Sequence, residues 1–102
     1  MITVVVVEPG KDPYIMEMPN TLKEMQSLVG GYIETIALKD GFVIVCNADG
    51  KPLNLPPNRW NGINMIFGTF FICRQKGGKF TSLKSGMMDY WTARFKLNRR
   101  VK

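Results

Sequence analysis

Four consecutive residues, Asn58-Arg59-Trp60-Asn61, bring together a guanidinium fork, a large aromatic face and two side-chain amides. These are the groups with which proteins grip a phosphate while a base stacks beside it. Pro56 and Pro57 stiffen the chain just before them, which lowers the entropy lost on binding. The same residues admit a structural reading, in which Trp60 plugs the edge of the core and Arg59 ties the segment to a backbone carbonyl or an acid. A second set, Arg94, Lys96, Arg99, Arg100 and Lys102, places five cations in residues 94–102 with no acid among them. Such a cluster suits phosphates or an acidic partner. It suits equally the solvated C-terminus of a helix, where cations meet the dipole favourably.

What the chain lacks narrows the chemistry further. There is no histidine, which removes the usual general base near neutral pH and with it Ser-His-Asp and Cys-His arrangements. Glu17, Glu24 and Glu34 are scattered, without the pairing that separates two pKa values into acid and base roles. No catalytic constellation emerges, and a non-enzymatic protein is expected. Cys46 and Cys73 lie in apolar, strand-like runs and read as reduced core thiols. Two thiols without histidine do not make a zinc site, and neither metal nor cofactor is expected. Gly30-Gly31 stands at the end of a helical stretch, whereas anions are held at helix N-termini, so the pair reads as a C-cap.

The net charge of +6 is placed unevenly. Residues 1–50 hold seven acids against three lysines, a net −4, while residues 51–102 hold eleven basic residues against Asp89 alone, a net +10. The second half calls for an acidic partner, whether nucleic acid, a nucleotide or an acidic protein face. A length of 102 residues, 45% hydrophobic and 22% charged, fits one globular domain over 1–102. The apolar run ITVVVV has no basic flank and is short for a signal-peptide core. Ile63 to Cys73, interrupted by Asn64 and Gly68, falls short of a membrane span. A cytoplasmic protein with no membrane partner is expected, and a homo-oligomer stays open.

The elements that must position these groups follow from pattern. Ile2–Glu8 is a continuous β-branched strand, and a turn at Pro9-Gly10 and Asp12-Pro13 leads into a second, Tyr14–Met18. Thr21 with Glu24 has the capping-box form and predicts a short helix from about Leu22 to Val29, with Leu22, Met25, Leu28 and Val29 as its apolar face. Tyr32–Leu38 and Phe42–Asn47 form a hairpin about Lys39-Asp40-Gly41, and residues 51–62, rich in proline and asparagine, read as a long ordered loop. Ile63–Arg74, apolar at odd and even positions, reads as one central strand with Gly68 marking a bulge or close approach. Met88, Trp91 and Phe95 at helical spacing predict a helix from about Met87 to Leu97. The expected fold is α+β: a mostly antiparallel sheet of about five strands, a short helix after the second, and a C-terminal helix packed on the sheet.

The segments VEPGK (7–11), LVGGYIE (28–34), VIVCNADGK (43–51), LPPNRW (55–60) and GTFFI (68–72) resemble a family of small phage and mobile-element proteins known only as a domain of unknown function. The resemblance covers residues 1–83 as the α+β body. Members of that family usually continue into an acidic helix, whereas residues 84–102 here are basic. What the resemblance implies is a setting: accessory proteins in the conflict between a mobile element and its host. The expected function is therefore that of a non-enzymatic accessory protein that inhibits a host antiviral defence system, an anti-CRISPR-like inhibitor of a defence nuclease. Its partner would be a host defence protein or the nucleic acid that protein holds. Two alternatives stand beside it: a sponge for a nucleotide immune signal, held by Arg59, Trp60 and Asn61, and a basic nucleic-acid-binding regulator.

Overall fold

The computed structural model describes residues 1–97. Its centre is β1 (Ile2–Val7), whose valines at 4, 5, 6 and 7 are all fully buried. A strand with apolar side chains at every position but Thr3 must be covered on both faces, and the chain supplies both covers. Ile2, Val4 and Val6 point into one core with Val43, Val45, Phe71 and Cys73, closed by Met25 and Val29 of α1 (Leu22–Val29). Val5 and Val7 point the other way, into a core with Ile44, Phe70 and Ile72 that is closed by Trp91 and Phe95 of α2 (Ser85–Phe95). The domain is thus one sheet between two helical layers.

The main sheet runs β2 (Tyr14–Met18), β1, β7 (Phe70–Lys76), β4 (Phe42–Asn47), β3 (Ile33–Ala37), and every pairing is antiparallel. A short β8 (Lys79–Thr81) pairs with the far end of β7 and brings the sheet to six strands. The helix boundaries have local causes. The Thr21 hydroxyl accepts a hydrogen bond from the Glu24 backbone N–H at 3.2 Å and starts α1. Gly30, at φ 82°, ends it in the left-handed conformation, so the Gly30-Gly31 pair is a C-cap. The buried Asn47 side chain donates to the Val29 carbonyl at 3.1 Å and packs so close to Gly31 that a Cβ there would lie 2.9 Å from its Nδ2.

Five expectations need correction. Ile63–Arg74 is not one strand: Gly68, at φ 86°, breaks it, and only β7 joins the main sheet. The first part, β6 (Met65–Phe67), pairs instead with β5 (Pro57–Trp60) in a separate two-stranded hairpin, so residues 51–62 are not wholly irregular. Pro57 is tolerated because it opens the strand, where its missing N–H costs no ladder bond. The expected sheet of about five strands accordingly becomes a six-stranded sheet plus this hairpin. Leu22 is exposed rather than part of the apolar face of α1, and α2 spans Ser85–Phe95, not Met87 to Leu97. Among the described residues no helix is long and apolar enough to cross a membrane.

Candidate functional site

The register between β5 and β6 shifts between Pro57 and Arg59, a bulge that turns the Asn58 side chain inward. Its Nδ2 donates to the Val7 carbonyl at 2.9 Å and to the Gly68 carbonyl at 2.8 Å, fastening the hairpin to β1 and to the break before β7. Arg59 is committed in the same way. Its Nε donates to the Phe95 carbonyl at 3.0 Å, one Nη to Asn58 Oδ1 at 2.9 Å, and the other Nη to the Lys11 carbonyl at 2.6 Å. Burial lowers the pKa of Arg59, with the nearby Asp12 acting in the opposite direction. The Asp12 carboxylate also accepts the Leu97 N–H at 3.0 Å, so the β1–β2 turn, the hairpin and the end of α2 meet at this point. Asn61 Oδ1 accepts from the backbone N–H groups of Ile63 and Asn64 and shapes the hairpin turn.

Of the four residues singled out in this segment, then, three hold the hairpin and one faces outward. Trp60 is 57% exposed and plugs no core; Ile63, 77% exposed, and Met65 extend its apolar surface along the hairpin tip. Arg59 follows the structural alternative, a tie to backbone carbonyls, rather than a free fork for a phosphate.

The basic cluster is divided. Arg94 and Lys96 lie at the end of α2 and just beyond it; Arg99, Arg100 and Lys102 lie outside the described residues. Arg94 has its guanidinium 5.6 Å from the centre of the Phe95 ring and lines a groove of about 800 Å³ between α2 and the β3–β4 edge of the sheet. Phe42 and Ile44 line it from β4, Tyr90 and Trp91 from α2, and Lys39 from the turn before β4. The groove lies beside α2, which packs over β1 and β2 and meets β4 through Trp91 on Phe42. Asn61, from the hairpin tip, lines this groove and also a second of about 610 Å³ that Trp60, Ile63 and Met65 border.

Three rings are packed into the wall of the larger groove. Phe42 meets Trp91 edge-on at 5.4 Å, and Tyr90 meets it perpendicularly at 4.9 Å. Trp91 is 8% exposed, and its buried Nε1–H has no hydrogen-bond partner among the described residues. Tyr90 and Lys39 were not apparent as site residues from the sequence. Met87, Tyr90 and Arg94 follow one another at helical spacing beside the Met88-Trp91-Phe95 stripe, and that second stripe is the one sequence signal for the groove.

The two thiols sit elsewhere in character. Burial pushes Cys73 up to about 12; burial first and the charge of Glu34 second push Cys46 up to about 11. Both are therefore protonated at neutral pH, and a thiol is a poor nucleophile. Among the described residues no three metal-ligating side chains converge.

Comparison with known proteins returns a family profile described as Domain of unknown function (DUF3846), matched over residues 2–96. The match takes in α2, beyond the residue 83 to which the sequence resemblance reached. No curated protein and no solved structure matches the chain. With the profile spanning every element from β1 to α2, the chain belongs to this family of unknown function.

Proposed function

We propose that the protein is a non-enzymatic accessory factor that works by binding, docking the tip of its β5–β6 hairpin on an acidic face of a partner protein. In the phage or mobile-element setting that the resemblance implies, the partner is a nuclease of a host defence system, and docking inhibits it. The observation that carries this reading is the hairpin tip: Trp60, Ile63 and Met65 stand exposed on a segment anchored by Asn58 and Arg59. Exposed aromatic and aliphatic side chains on a rigid scaffold are what interface anchors look like. The net +10 of residues 51–102 favours an acidic surface opposite. The absence of histidine and the protonated thiols fit binding without turnover.

The test is a protection assay in cells carrying a nuclease-based defence, backed by the purified nuclease. The parent protein should restore phage plating, and Ile63→Asp and Trp60→Ala, both at exposed positions, should fold normally and fail to do so. Equal protection by both variants overturns hairpin docking. Steeply salt-dependent retention of DNA or RNA by the protein alone would favour the nucleic-acid regulator instead.

A further inference from the structure

The larger groove has a lining that hairpin docking does not use. We propose that it is a binding site for a small planar anion, an aromatic or heteroaromatic ring carrying a carboxylate or a phosphate. The inference does not rest on the docking reading, since the residues it uses come from α2, β4 and the turn before β4, and Asn61 is the one hairpin residue in the lining.

A volume of about 800 Å³ lies within the range of small-ligand sites, which are mainly apolar with a few convergent polar groups. Here the apolar part is aromatic. Phe42 and Tyr90 each pack on Trp91 and all three line the space, and Tyr90 is 59% exposed, so it is open to a ligand ring. The polar part is cationic. Lys39 and Arg94 both line the groove, and among the described residues neither is in an ion pair. An arginine fork matches the two oxygens of a carboxylate or phosphate, and a lysine supplies a point charge. Asp40 is the one acid of the lining, which leaves a net +1 and suits a ligand with one or two negative charges.

One further feature distinguishes this groove from an ordinary seam beside a helix. A buried indole N–H without an acceptor is uncommon, because burial removes water and the missing bond costs stability. Trp91, one of the residues that line the groove, carries such an orphan donor.

The experiment is a titration of the Trp60→Phe protein, in which Trp91 is the one remaining indole and reports through its fluorescence. The probes are AMP, indole-3-acetate, adenosine and inorganic phosphate. Nucleotide and aromatic carboxylate form the two arms that identify the source of the anion. At least one aromatic anion should bind and change the Trp91 emission, while adenosine, lacking the charge, and phosphate, lacking the ring, should bind at least about tenfold more weakly. Arg94→Gln and Lys39→Gln, both at exposed positions, should each weaken the bound anion by about tenfold without changing the melting temperature. The inference is overturned if neither aromatic anion binds below about 1 mM, or if both glutamine variants bind as the parent does. Ile63→Asp should leave this affinity unchanged, so failure of hairpin docking and failure of the groove site are read separately.

Discussion

Replacing Arg59 with alanine distinguishes a guanidinium that ties the structure together from one held ready for a ligand. The side chain makes three hydrogen bonds, to the carbonyls of Phe95 and Lys11 and to Asn58 Oδ1. The Phe95 carbonyl belongs to the last turn of α2, where no intrahelical N–H is available, and a cation there also opposes the helix dipole favourably. Arg59 is only partly buried, so water will replace some of what is lost. Taking about 1 kcal/mol for each bond gives a loss of about 2–3 kcal/mol. For a domain of this size that is a fall in melting temperature of about 8–24 °C. Arg59→Lys should recover only a minor part, because an ammonium on a single stem cannot reach three acceptors in divergent directions. The assay is thermal unfolding followed by circular dichroism, with a urea titration at 25 °C as a second measure. If Arg59→Ala melts within about 3 °C of the parent, the ties contribute nothing measurable and the residue returns to the recognition surface.

Two further outcomes follow from the core. Gly68→Ala should destabilise by about 1–3 kcal/mol, because a Cβ there would sit 2.7 Å from Leu55 Cδ1 at a φ of 86°. Gly62→Ala, also at positive φ but with nothing within 4 Å, gives the backbone part alone, and equal losses at the two positions would refute the packing contribution. The raised thiol pKa values fix a pH dependence. The folded state holds the protons of Cys46 and Cys73 up to about 11 and about 12, above the ordinary value near 9 at which the unfolded chain releases them. Their contribution is complete below pH 9 and is lost as pH rises through the folded values. Urea midpoints should fall more steeply above pH 9 for the parent than for the double Cys→Val variant, and parallel curves would show that the thiols are not shielded.

How much of this was legible in the sequence depended on whether local chemistry settled the question. Thr21, Glu24 and Gly30 mark α1 because a cap is a bond between neighbours in sequence. The valines of β1 declare a strand covered on both sides. Ile63–Arg74 was misread because an unbroken apolar run looks the same whether it is one central strand or two strands meeting at a kink, and only the conformation at Gly68 decides. β8 was missed for a related reason: Gly77-Gly78, both at positive φ, form a hairpin turn where the sequence suggested an ending. The motif Asn58-Arg59-Trp60-Asn61 could not show which of its side chains are ties and which is exposed, since the partners of Arg59 lie 36 and 48 positions away. Of the groove, the sequence carries only the Met87-Tyr90-Arg94 stripe, because Lys39 joins that lining only when α2 folds back over the sheet.

The break at Gly68 connects these observations. A strand that leaves its sheet abandons backbone groups that must be paired elsewhere. Here the Gly68 N–H donates to the Pro56 carbonyl at 2.7 Å, while Asn58 supplies a donor to the carbonyls of Gly68 and Val7. The hairpin is therefore anchored at its base by the bonds that repair the break, and at its flank by Arg59 on the end of α2. With both anchors in place, Trp60 and Asn61 are fixed relative to the sheet before any partner arrives, which reduces the ordering cost of binding. Arg59 also connects the hairpin to the helix that carries Tyr90, Trp91 and Arg94. Loosening it should therefore weaken hairpin docking and groove binding together, whereas Ile63→Asp and Arg94→Gln should each weaken only one.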